Sequence, residues 1–197
     1  NNDQRLRGQD IFMDMYLAPE RTLHLLNCVC TTMIEAAQRL WDKKRVHGGS
    51  GTPFFTVSNC LVNMVEPELY NEFILPFDQK IALAFGLTGI HNCAWNASPY
   101  IESYAQVPQV GYIDMGMDSD LQKARESFQG ARRAIMYTPM DLANKTLEQL
   151  KTDMEHIANN YGPCDVVVAD IEAGTPDGKV MGLFEICEAI SKKHISM

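Results

Sequence analysis

No apolar run in the chain approaches the roughly 20 residues that a membrane-spanning helix needs, and no secretory signal or lipidation motif is present. Positive charge is scarce: 17 Lys and Arg stand against 25 Asp and Glu, for a net charge of −8. An acidic surface repels phosphate backbones, and no Lys/Arg cluster with interleaved aromatics offsets it, so nucleic acid is excluded as an expected partner. The start, Asn1-Asn2-Asp3, lacks an initiator Met, so the first residue is not expected to be the natural beginning. Cysteine is present but not in the dense spacing of a disulfide-stapled scaffold. Cys28, Cys30, Cys60, Cys93, Cys164 and Cys187 are scattered over 197 residues, which fits reduced thiols and a cytoplasmic setting. Most read as small buried hydrophobes, some as metal ligands. Low-complexity segments are absent too.

What is there is enough apolar material, 46% of residues, for one sizeable core. We expect a single domain over 1–197, with a helical lead-in at 1–47 and five βα units over 48–197. Ile11, Phe12, Met15, Tyr16, Leu23 and Leu26 have helical spacing, with a break at Pro19. Met33, Ala37, Leu40 and Trp41 continue it, and Lys43-Lys44-Arg45 mark a helix end. Gly48-Gly49-Ser50-Gly51 signals a turn, and Pro53 to Val57 a short strand. Glu66-Pro67-Glu68 opens a helix in which Leu69, Phe73, Phe77, Ile81 and Phe85 form one stripe, with a kink predicted at Pro76.

Strands follow at Leu87–Cys93, Val110–Met115, Arg133–Tyr137 and Asp165–Ile171. Helices follow at Pro99–Ala105, Asp120–Phe128, Thr146–Tyr161 and Val180–Lys192. This β-α alternation predicts an α/β fold with a parallel sheet and helices outside it.

Several stretches resemble one family. Glu66-Pro67-Glu68-Leu69-Tyr70-Asn71-Glu72-Phe73-Ile74-Leu75-Pro76-Phe77 resembles the (S/E)-P-E-(L/F)-(F/Y)-x-E-F-x-x-P-(Y/F) helix of the uroporphyrinogen-decarboxylase superfamily, internal proline included. His91-Asn92-Cys93 is similar to its H-x-C-G. Asp120-Leu121-Gln122-Lys123-Ala124-Arg125 is similar to its D-L-x-x-A-(R/K). Asp165 to Pro176, ending Ala173-Gly174-Thr175-Pro176, is similar to its last strand and loop. The elements keep the family's order over about residues 55–190. The resemblance implies a (β/α)₈ TIM barrel of which this chain holds about the last five units. A missing N-terminal segment or another chain is then expected to complete it, because an open sheet leaves an edge exposed.

The resemblance to the corrinoid-dependent methyltransferase branch implies a zinc site. A methyl group would pass between a small methylated compound or thiol and a corrinoid protein. His91 and Cys93 are two residues apart, so on a strand they would share one face and could reach one ion. The family's last-loop cysteine is absent; Asp170 is the expected third ligand, with Glu172 and Cys60 behind it. Asp114, Tyr137 and Trp95 are expected to line a pocket, with Tyr100 and Asp141 near strand ends. Each of these also has an ordinary packing reading. Two other readings stay open. One is a tetrapyrrole decarboxylase like uroporphyrinogen-III decarboxylase, although Ala169 and Asp170 replace that branch's last-loop histidine. The other is a non-catalytic half-barrel binding subunit.

Overall fold

The computed structural model describes residues 2–48 and 54–195. Of the expected glycine turn only Gly48 falls among them, and the expected strand start at Pro53 lies outside the described residues.

The chain opens with three helices, α1 (Asn2–Arg7), α2 (Asp10–Leu17) and α3 (Pro19–Val46). The expected break at Pro19 separates α2 from α3. The proline takes the first turn of α3, where its missing N–H costs nothing. Thr22, Leu26 and Cys30, each four residues apart, are the buried positions of α3.

The α/β part begins with β1 (Phe55–Ser58) and α4 (Pro67–Leu69), a π-helical turn at Tyr70–Ile74, and α5 (Leu75–Phe85). The expected distortion at Pro76 is thus a π-turn just before the proline, which sits in the first turn of α5. Gly86, at φ 75°, ends α5 in the left-handed conformation that glycine adopts without a Cβ penalty. Then come β2 (Thr88–His91), α6 (Ile101–Tyr104), β3 (Val110–Met115), α7 (Leu121–Ser127), β4 (Arg132–Met136), α8 (Pro139–Asn144), α9 (Leu147–Tyr161), β5 (Asp165–Val167) and α10 (Asp177–Ile195). Asp120 caps α7 and Thr138 caps α8. Thr146 and Gln149 form a reciprocal capping box at α9.

All strand pairs are parallel, in the order β1-β2-β3-β4-β5. Consecutive order without reversal is how an arc of an α/β barrel is laid down; a doubly wound sheet would reverse. One face of the sheet carries Val57, Ile90, Ile113, Met115 and Ile135, all buried in the core with Phe85, Leu121, Leu150 and Ile157 from the helices. Each such side chain contributes about 1.5–3 kcal/mol by leaving water. The opposite face carries Thr56, Ser58, His91, Tyr112, Asp114, Arg132 and Met136. Thr56, Ser58 and Arg132 on it are exposed. No helix among the described residues is long and apolar enough to cross a membrane.

Two strands are shorter than their apolar runs predict. β2 stops at His91, so Cys93 lies in the turn beyond it. β5 stops at Val167, so Asp170 and Glu172 lie past the sheet.

Candidate metal centre

The register pairs Ser58 with His91 across β1 and β2. The ladder continues one residue further, where the Asn59 N–H donates to the His91 carbonyl at 2.7 Å. Cys60 therefore leaves β1 beside the residue that ends β2. Cys93 leaves β2 in a left-handed turn, at φ 57°, a conformation uncommon for a residue with a Cβ. The turn folds its thiol back toward the strand end. His91 and Cys93 thus meet through a turn and not through the pleat of a strand, which corrects the sequence argument while leaving the two residues together.

The Cys93 sulfur lies 3.2 Å from His91 Nε2 and 2.7 Å from the Cys60 sulfur. Cys60 is also 3.2 Å from the Ser58 hydroxyl. The possible ligand atoms of Cys60, His91 and Cys93 all fall within 4.8 Å of one another, so this cluster can hold a metal ion. Thiols and imidazoles are common ligands of transition metals, zinc among them, and three ligands of a tetrahedral set leave a fourth position open.

His91 is held from behind. Its Nδ1 is 2.7 Å from Oδ2 of Asp114, which is 1% exposed. Asp114 also accepts the Asn92 N–H on Oδ1 at 2.8 Å and the Tyr112 hydroxyl on Oδ2 at 2.9 Å. With the proton on Nδ1 facing the carboxylate, Nε2 presents its lone pair to the sulfurs. The hydrogen bond to Asp114 raises the His91 pKa against the opposing effect of burial, and the charges of Asp114 and Cys60 add to the rise. Burial, and then the neighbouring Cys60, push the Cys93 thiol up to about 12. A bound divalent cation inverts that preference, because it stabilises the thiolate directly.

Gly116 supports the Cys93 turn. A Cβ there would stand 2.2 Å from the Ala94 carbonyl oxygen, and the Gly116 N–H donates to the Trp95 carbonyl at 3.0 Å.

Among the expected ligands, Asp170 is not brought into the cluster. It is exposed, at φ 55° in the turn after β5, and its charge is the weakest of the named influences on Cys93. Glu172 is exposed beyond it. Cys60 stands where Asp170 was expected.

Asp114 lies behind His91 rather than in an open pocket. Tyr137 is also not at the site: it is buried on the helix side of β4, with its hydroxyl donating to Asp153 at 2.5 Å. Trp95 packs edge-on against Tyr100 at 5.6 Å, and the Tyr100 hydroxyl donates to the Val62 and Val65 carbonyls. Asp141 belongs to the α8 cap and pairs with Lys145.

Sequence reasoning missed Asn59, Asn92 and Asp78. Only Asp78 carried a signal, a carboxylate on the apolar stripe between Leu75 and Phe85.

No protein-family model matches the sequence, and no curated protein matches it. A solved structure described as a methyltransferase from Methanosarcina mazei superposes with a TM-score of 0.56 at 16% sequence identity. The match covers 72% of this chain and 43% of that one, so the chain spans less than half of that protein's length. The likeness is one of fold.

Proposed function

We propose that the chain contributes about the last five units of a (β/α)₈ barrel of the uroporphyrinogen-decarboxylase type that works as a corrinoid-dependent methyltransferase. The observation that carries the reading is the Cys60–His91–Cys93 cluster at the C-terminal strand ends, where such barrels keep their reactive groups. The fold likeness to a methyltransferase supports it.

Cys60 Sγ, Cys93 Sγ and His91 Nε2 would hold a zinc ion, which supplies the Lewis acidity that keeps a bound thiol ionised at neutral pH. Asp114 keeps the His91 proton on Nδ1, so Nε2 stays a ligand. Ser58 lies beside Cys60 and lends a hydroxyl to the rim. A corrinoid carried by a partner protein would exchange the methyl group with a small methylated compound or thiol held at this site.

The test uses the zinc-loaded chain with methylcobalamin and a small alkyl thiol. Thiol-dependent loss of the methylcobalamin absorption, abolished in His91→Ala, is the expected result. No thiol-dependent change in protein carrying stoichiometric zinc contradicts the reading.

One observation favours a second reading, a binding half-barrel. β1 and β5 are the ends of the strand order, and Thr56 to Asn59 border a cavity of about 270 Å³ between β1 and α3. An edge of this kind invites a further strand from another segment or chain.

A further inference from the structure

Behind the cluster runs a chain of buried polar side chains. Asn59, the residue before Cys60, donates its side-chain amide to Oδ2 of Asp78 at 3.0 Å. The Tyr70 hydroxyl, from the π-helical turn, donates to the same oxygen at 2.8 Å. On the other flank Asn92, between His91 and Cys93, donates to the Asp114 carbonyl at 2.8 Å and accepts from the Tyr104 hydroxyl at 2.7 Å. The Tyr70 and Tyr104 rings meet edge to face at 5.3 Å.

Asp78 is costly where it stands. It is 5% exposed, shares α5 with buried Leu75, Ile81, Ala82 and Phe85, and its hydrogen-bond partners are neutral. Burying a carboxylate on such terms costs several kcal/mol, which a leucine would avoid. Packing therefore does not account for it. One of its two bonds reaches Asn59, the residue before Cys60, and the other reaches Tyr70 in the π-helical turn.

We propose that Asp78 is a positioning residue: through the Asn59 amide it fixes the turn after β1, and so sets the approach of the Cys60 thiol to Cys93 and His91. The consequence for metal binding rests on the reading of the cluster as a metal centre; the geometric claim does not.

The full chain is loaded with cobalt(II) in place of zinc, and the sulfur-to-cobalt charge-transfer absorption counts thiolate ligands. Cys60→Ala supplies the one-thiolate reference. Asp78→Ala is expected to match that reference, at about half the wild-type intensity, with roughly 10–100-fold weaker cobalt binding. Asp78→Asn is expected to restore both, since its amide oxygen can accept from Asn59 and Tyr70. If Asp78→Ala does not fold, Asn59→Ala cuts the same link and leaves Asp78 bonded to Tyr70.

The effective concentration of the Cys60–Cys93 pair, from disulfide formation in glutathione buffers without metal, is expected to fall about tenfold or more in Asp78→Ala and to recover in Asp78→Asn. Wild-type intensity and cobalt affinity in folded Asp78→Ala overturn the proposal. If the wild type takes up no cobalt, the metal reading falls. The glutathione measurement then decides alone, and an unchanged effective concentration overturns the positioning role.

Discussion

His91 Nδ1 sits 2.7 Å from Asp114 Oδ2, and that contact leaves Nε2 as the nitrogen facing the Cys93 sulfur 3.2 Å away. The imidazole is thus aimed by a carboxylate from the neighbouring strand. A ligand histidine oriented in this way loses affinity when its partner is changed, by about 10–100-fold. Asp114→Asn is expected to weaken zinc binding within that range, measured by competition with a chromophoric chelator. Wild-type affinity in the variant contradicts the orienting role.

Gly116 is where the backbone of β3 passes under the turn that carries Cys93. A methyl group placed 2.2 Å from the Ala94 carbonyl oxygen forces that turn to move. Gly116→Ala is expected to lose about 1–3 kcal/mol in denaturant unfolding and to lose zinc affinity as well. An unshifted unfolding midpoint shows that the turn can yield.

Asp78 makes stability depend on pH. Burial raises its pKa from 3.8 to about 6 in the folded chain, so the folded state favours the protonated acid. The stabilising contribution is fully present below the unfolded value near 4, and it is lost as pH rises through about 6. The difference amounts to roughly 3 kcal/mol between the two limits. Unfolding of the wild type is therefore expected to gain stability relative to Asp78→Asn as pH falls from 7 to 4. A constant difference between the two proteins over that window contradicts it.

Much of the scaffold was legible in the sequence because it rests on local pattern. The Val110 to Met115 run is the whole of β3, and Thr146 with Gln149 marks the start of α9. Where strands end was not legible. Apolar residues after Val167 and the cysteine after Asn92 look like strand continuations, yet Asp170 and Cys93 take left-handed turns that only tertiary contacts impose.

His91 and Cys93 stood out by their resemblance to an H-x-C motif, although the strand spacing argued for them is replaced by a turn. Cys60 was named only behind Asp170, because its place beside Cys93 depends on the pairing of Ser58 with His91, 33 residues apart in sequence. The Asn59–Asp78 bond likewise joins a loop to a helix. It follows from the π-turn and packing of α5, which no periodicity encodes.

The proposed function rests on Cys60, His91 and Cys93 binding one metal ion together. Its most direct test is the metal content of the purified full chain beside Cys60→Ala, His91→Ala, Cys93→Ala and Asp170→Ala. About one zinc per wild-type chain is expected, lost in the first three variants and retained in Asp170→Ala. A folded wild-type protein without metal after zinc loading, or zinc retained in Cys60→Ala and lost in Asp170→Ala, would contradict it.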